Sequence, residues 1–306
     1  VQESSTRDGT VPPRILVTGA DGLIGRATVD RLLGRGIAVT ALSRSWSAPI
    51  AADRIVTADV ADEKRVHEAL DDVTAVVHMA AIPHPDIDTP RAVFVGNTSA
   101  TFTLLAAAGE RGIRRAVIAS SINAFGIPMN RHALSPAYYP LDELMPVAHD
   151  DAYSLSKWVD EHAARLAHSR WGMDVVALRF PLVRSLPDLQ AWARTLRDNP
   201  AEQTRLAREG WAYLELTDAV DAIEQSLSAP LTGAHTLLLA AADTLLPDAT
   251  EDLLDAHAPG VPRRRRFEGR RSPLDVSAAE RLIGWRPRHA IDPDYAAASQ
   301  ETEVTA

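Results

Sequence analysis

The chain has 306 residues, 46% of them hydrophobic, enough to fill a sizeable core; it has no cysteine, so disulfides, thiolate metal sites and cysteine nucleophiles are excluded. A formal charge of −9 argues against a nucleic-acid surface, where affinity comes chiefly from cations meeting phosphates. No apolar stretch approaches the roughly 20 residues that cross a bilayer, and the polar residues 1–11 read as a disordered leader, not a signal peptide, so a cytoplasmic protein without a membrane partner is expected.

An apolar run at 15–18, a glycine-rich turn and apolar positions at helical spacing over 27–33 predict strand, turn and helix. Strands at 37–42 and 54–58, a helix at 63–70, a strand at 75–79 and a long helix at 92–109 follow. A strand at 116–120, a helix at 153–169 and a strand at 174–178 continue the alternation. Strands that are apolar throughout are buried on both faces, which predicts an α/β fold with a doubly wound parallel sheet of the Rossmann kind. Past Arg179 the rhythm breaks into helices at 189–197, 218–228, 248–257 and 277–283 and a strand at 235–240.

The turn itself carries chemistry. Gly19, Gly22 and Gly25 stand between a predicted strand and a predicted helix, the context that separates a phosphate-binding turn from a chance glycine pattern. Gly19 permits the tight turn, Gly22 lets a pyrophosphate approach the backbone, and Gly25 allows close helix-to-strand packing with the helix N-terminus facing the anion. Asp21, Leu23 and Ile24 complete this cofactor-facing segment. Where NAD binders commonly hold a ribose-binding carboxylate, the second strand ends in Ser43-Arg44. NADP(H) is therefore the favoured cofactor, with Arg44 on the 2′-phosphate and Ser43 beside it, and NAD(H) the alternative. The expected organisation is an NAD(P)-binding domain over 12–180 and a smaller, mainly substrate-binding region over 181–306, with about 218–241 returning to the first.

With the turn, Asp59-Val60, His78-Met79-Ala80-Ala81, Asn97, Ser120-Ser121 and Tyr153-Ser154-Leu155-Ser156-Lys157 in order, residues 14–180 resemble an extended short-chain dehydrogenase/reductase of the NAD-dependent epimerase/dehydratase family. Leu282-Ile283-Gly284-Trp285-Arg286-Pro287 is similar to that family's C-terminal signature. The resemblance implies that Asp59 meets the adenine amino group with Val60 alongside and that Ala80 and Ala81 border the cofactor. It further implies that Asn97 fixes the helix supporting the site and that the backbone of Phe180, Pro181 and Leu182 meets the nicotinamide amide. A homodimer paired through the helices at 92–109 and 153–169 is also implied.

The catalytic set expected is Ser121, Tyr153 and Lys157. A tyrosine, with a reference pKa near 10, is a poor base at neutral pH unless a cation stabilises its phenolate. Lys157 follows Tyr153 by one helical turn, so its ammonium shares that face and can also hold the ribose. Ser121 can hydrogen-bond the substrate oxygen while Tyr153 gives or takes its proton and the nicotinamide carries hydride.

Departures from the family narrow the function. Where sugar dehydratases carry an Asp-Glu pair, this chain has Ile122 and Asn123, which disfavours elimination of water. Where many nucleotide-sugar epimerases place an asparagine, Leu182 stands, which weakens that substrate class. Arg263, Arg264, Arg265 and Arg266, with Arg270 and Arg271, read first as a solvated edge and alternatively as an anion clamp. No histidine spacing suggests a metal site, and His84 is the histidine best placed for a substrate contact, with Ser121 and Asn123. The expectation is an NADP(H)-dependent oxidoreductase interconverting a carbonyl and a secondary alcohol on a small molecule. The alternatives are an epimerase with tightly bound NAD and a non-catalytic dinucleotide-sensing protein.

Overall fold

A computed structural model describes residues 14–292; the expected leader at 1–11 lies outside them. The elements run β1 (Arg14–Thr18), α1 (Leu23–Gly34), β2 (Ala38–Ser43), β3 (Arg54–Thr57), α2 (Glu63–Ala69), β4 (Ala75–His78), α3 (Pro90–Glu110) and β5 (Arg115–Ser121). A 3-10 turn (Ile122–Phe125) then leads by a long loop to α4 (Ala152–Trp171) and β6 (Asp174–Phe180). Seven strands form one sheet, ordered β3-β2-β1-β4-β5-β6-β9, with β9 (Ala234–Leu238) on its far edge and every pairing parallel. Because the chain leaves β1 toward one edge and returns at β4 to build toward the other, a crevice opens above the C-terminal ends of β1 and β4.

Burial explains the strands. All four residues of β4 and all seven of β6 are buried, as sheet strands covered on both faces must be. The two helices beside the site are bounded by side chains. The Thr89 hydroxyl accepts from Ala92 N at 3.2 Å with Pro90 in the first turn of α3, and Asp151 accepts from Ser154 N at 2.7 Å at the start of α4. These helices pack closely because Gly109 gives way to the Trp171 ring, which would lie 2.5 Å from an added Cβ.

Residues after β6 add β7 (Leu182–Arg184), α5 (Leu186–Arg197), α6 (Pro200–Ala207), β8 (Tyr213–Glu215) and α7 (Leu216–Ser228), and, after β9, α8 (Thr250–His257) and α9 (Ser277–Ile283). A separate apolar core here gathers Tyr139, Trp211, Tyr213 and Phe267. The 282–287 segment closes the chain onto α7: Trp285 is fully buried and its Nε1 donates to Asp218 O at 2.9 Å, while the Asp218 carboxylate accepts from Arg288 N and His289 N.

Three sequence expectations need correction. Helix α1 starts at Leu23, four residues ahead of the predicted 27, because Gly22 caps it and Gly25, the last of the turn glycines, lies inside its first turn. The pair β7-β8, the 3-10 turn and α6 were not predicted; each is short, and its apolar residues meet distant parts of the chain. Finally, α3 is long and apolar enough, by length and composition, to cross a membrane, contrary to the reading that no segment approaches that length. It is half buried, packed beside the sheet and α4.

Candidate active site

Two abutting cavities share Gly19, Gly22, Met79 and Ala81 and follow the crevice. The smaller, about 280 Å³, is lined by Asp21, Ser43, Arg44, Asp59, Val60, Ala80 and Asn97 besides the glycines. The larger, about 1450 Å³, takes in Leu23, Ile24, Gly25, His84, Ser121, Asn123, Tyr153, Lys157, Phe180, Pro181 and Leu182. The sequence-predicted site residues are thus brought to one continuous surface.

The glycine cradle is sterically required. Gly19 has φ +65°, and an added Cβ would lie 2.5 Å from Ala80 N; a Cβ on Gly25 would lie 2.1 Å from Gly19 O. Gly22 caps α1 without any side-chain cap bond, and the first turn of that helix holds no acid, leaving its N–H groups for an anion. The Asp21 carboxylate serves the cradle from outside. It pairs with Arg26 and accepts from Ser47 N at 3.0 Å, and these partners, Arg26 first, hold its pKa below the ordinary carboxylate value. At the far end Arg44 is exposed on the rim, and the Asp59 carboxylate accepts from Ala61 N at 2.8 Å. A bare-backbone cradle and an open cleft with an acid, Asp59, at its far end together fit a dinucleotide.

Ser121 ends β5, and its Oγ accepts from Asn123 N at 3.1 Å and from Asn123 Nδ2 at 3.2 Å. Its acceptor capacity is engaged and its own proton is left to give. Asn123 Oδ1 is buried without a hydrogen-bond partner among the described residues, and the residue lines the larger cavity. Such an acceptor calls for a donor from the ligand or solvent.

Tyr153 and Lys157 project from α4, whose register is held by neighbouring polar groups. Lys157 Nζ donates to Ala119 O at 2.9 Å and to Asp160 Oδ2 at 3.3 Å. Asn97 Nδ2 donates to Ser156 Oγ, which in turn donates to Tyr153 O, and Asn97 Oδ1 accepts from Ile82 N. Asn97 thus ties α3, α4 and the loop after β4 together. Beneath them Ser120 Oγ donates to Glu161 Oε1 at 2.6 Å, and Arg179 donates to both Glu161 oxygens at 2.7 and 2.8 Å. This buried, bidentate pair fixes β5 and β6 against α4.

The arginine run does not reach the cleft. Arg263 pairs with Glu251 and Asp255, Arg264 lies over the Tyr138 ring, and Arg270 pairs with Asp243. None of these, nor Arg265, Arg266 or Arg271, lines either cavity. The arginines that line the larger cavity, Arg131, Arg184, Arg205 and Arg208, were not singled out from sequence, nor were Asn130, Trp192 and Glu209. No spacing signal marks them, since the loops and α6 are brought in by tertiary packing; Asp160, by contrast, was readable from its i+3 position after Lys157. His84 is exposed on the cavity wall beside Asp86.

A sequence model described as the NAD dependent epimerase/dehydratase family matches residues 15–227. A uronate dehydrogenase of Pseudomonas putida is 28% identical over 243 residues, 75% of this chain and 76% of that protein. A UDP-glucose 4-epimerase of Streptococcus mutans is 29% identical over 176 residues, 54% of this chain and 50% of its own. Among solved structures, a short-chain dehydrogenase/reductase superfamily protein of Agrobacterium tumefaciens with bound NAD matches with a TM-score of 0.69 at 22% identity, covering 94% of this chain and 98% of that one. That structural likeness is one of fold.

Proposed function

We infer the function of this chain from one premise: it belongs to the NAD dependent epimerase/dehydratase family. It is a nicotinamide-dependent enzyme, and the reading best supported is an oxidoreductase interconverting a secondary alcohol and a carbonyl on a small molecule. The observation that carries it is the convergence of Ser121, Tyr153 and Lys157 on one cavity continuous with the glycine cradle.

The dinucleotide, when bound, supplies hydride acceptance and donation. The chain does the rest. Ser121, its acceptor capacity engaged by Asn123, donates a hydrogen bond to the substrate oxygen and orients it. Tyr153 takes the hydroxyl proton in the oxidative direction and returns it in the reductive one. Lys157, held by Ala119 O, stands one helical turn from Tyr153, where its ammonium offsets the negative charge that develops on the reacting oxygen during proton transfer. Asn123 Oδ1 accepts from a second substrate hydroxyl, which explains its lack of a protein partner.

NADP(H) is the proposed cofactor, because β2 ends without an acid and Arg44 stands on the rim where a 2′-phosphate would lie. Homodimerisation through α3 and α4 is part of the proposal, supported by exposed Val95, Phe102 and Leu166 on those helices; light scattering that returns a monomer would remove it. Epimerisation by a retained dinucleotide is the second reading, favoured by the epimerase relative and opposed by the apolar Leu182.

The test is Tyr153→Phe, assayed for hydride transfer against a panel of polyols, hydroxy acids and their carbonyl counterparts. A loss of about a hundredfold or more in kcat with unchanged dinucleotide affinity is expected. Full activity in the variant would refute the assignment, and turnover without net change in nicotinamide absorbance would favour the epimerase.

A further inference from the structure

We propose that Arg208, with Arg205 beside it, forms an anion subsite in the larger cavity that takes a carboxylate or phosphate carried by the substrate away from its reacting carbon. This rests on the oxidoreductase reading and names its substrate class.

Four arginines stand on the wall of the larger cavity, of which Arg184 is exposed and turns one N–H back to Val183 O at 2.8 Å. Arg131 is exposed and held by Asp150, with Nε 2.9 Å from its carboxylate. Arg205 is occupied by Glu202 at 2.7 Å and Glu209 at 3.5 Å. Arg208 differs: it is partly buried, one N–H donates to Asn130 O at 2.9 Å, and no carboxylate pairs with it among the described residues. A guanidinium has five donors in a rigid fork, so most of this one remains for a ligand.

Arg208 is also held in place. Asn130 is buried, and its side-chain amide donates to Gly126 O at 3.3 Å and Ala148 O at 2.9 Å, so the carbonyl gripping Arg208 belongs to a fixed loop. Burial and the neighbouring Arg205 charge both press on the Arg208 cation and lower its pKa. An anion would relieve both, and desolvated arginine without a counter-charge is unfavourable otherwise.

The acids nearby do not fill that role. Burial pushes the Glu209 carboxyl up to about 7, and what charge it carries faces Arg205. Asp150 is committed to Arg131, Asp151 caps α4, and exposed Asp86 lies by His84. Trp192 lines the same cavity and offers apolar surface to the body of a substrate.

The experiment is calorimetric titration of the dinucleotide-saturated protein with inorganic phosphate and, separately, with malonate; saturation keeps the glycine cradle from taking the anion. Wild type should bind at least one of them at one site per chain. Arg208→Gln should weaken that binding about tenfold or more, Arg208→Lys should restore part of it, and Arg264→Gln, outside the cavity, should leave it unchanged. Preference for phosphate assigns a phosphate ester, preference for malonate a carboxylate. No saturable binding of either anion to wild type, or equal binding to Arg208→Gln with its dinucleotide affinity intact, overturns the proposal. Failure of Tyr153→Phe to lose hydride transfer would refute the oxidoreductase reading while leaving this binding result standing, so the two are separable.

Discussion

Lys157 and Asp160 form a buried ion pair on one face of α4, Nζ to Oδ2 3.3 Å, with side chains 3% and 2% exposed. The carboxylate therefore shares the ammonium to which the proposed function gives a role beside Tyr153. Burial raises the Asp160 pKa while Lys157 and the Thr101 hydroxyl pull it back.

Asp160→Asn should leave the fold and the Ala119 contact in place and release the full cation onto Tyr153. The limb of the pH–rate profile along which oxidation rises should move to lower pH by about one unit. Dinucleotide affinity, read by calorimetry, should change little. A profile that does not move would show that Asp160 serves packing alone.

Arg44→Ala separates the two cofactors. If Arg44 contacts the 2′-phosphate, NADPH should bind about tenfold more weakly to the variant, with NADH unaffected, since a charge-assisted contact to an anion is being removed. Calorimetry with both cofactors decides it; NADH bound more tightly than NADPH by wild type would reject the preference.

The glycines of α1 predict opposite outcomes within one helix. In Gly25→Ala the new methyl meets Gly19 O, backbone that cannot move without opening the cradle, so dinucleotide binding should fall by more than tenfold and stability should fall with it, by about 1–3 kcal/mol. Gly34→Ala meets nothing within 4 Å and should stabilise by up to about 1 kcal/mol, because alanine loses less backbone freedom on folding. Urea midpoints for the two variants check the contrast.

His78 supplies an acid-sensitive term. Its ring sits between the Thr18 hydroxyl at 2.7 Å and the Thr101 hydroxyl at 3.1 Å, and burial, with the Lys157 charge adding to it, lowers its pKa to about 3 from 6.5. The unfolded chain takes up a proton below pH 6.5 that the folded chain refuses. The contribution is thus full above about 6.5 and is lost as pH falls toward 3, on the order of 5 kcal/mol across the window. Wild type should lose more stability than His78→Gln between pH 7 and 5; parallel losses would contradict this.

The alternation of apolar runs with helical spacing was enough for the sheet, because a strand covered on both faces is mostly apolar: β4 and β6 are buried throughout, with only His78, Asp174 and Arg179 polar or charged among their residues. The glycine turn and the Tyr153–Lys157 spacing were legible for a related reason: backbone approach to a pyrophosphate and a one-turn offset on a helix are local constraints that residue types satisfy within a few positions. The arginine run at 263–266 lies outside both cavities, in line with its first reading as a solvated edge; which acids fold onto it, Glu251, Asp255 and Asp142, was not legible because charge along the chain says nothing about distant partners.

What the sequence by itself determined was the fold class, the order of motifs and the candidate cofactor and catalytic residues that line the crevice. Which cations line the larger cavity was decided only by tertiary structure. Arg131, Arg205 and Arg208 enter the cavity from a loop, from α6 and from the residue that caps it, whose positions depend on packing against a core assembled from residues tens to more than a hundred positions apart, and no local pattern encodes such a meeting.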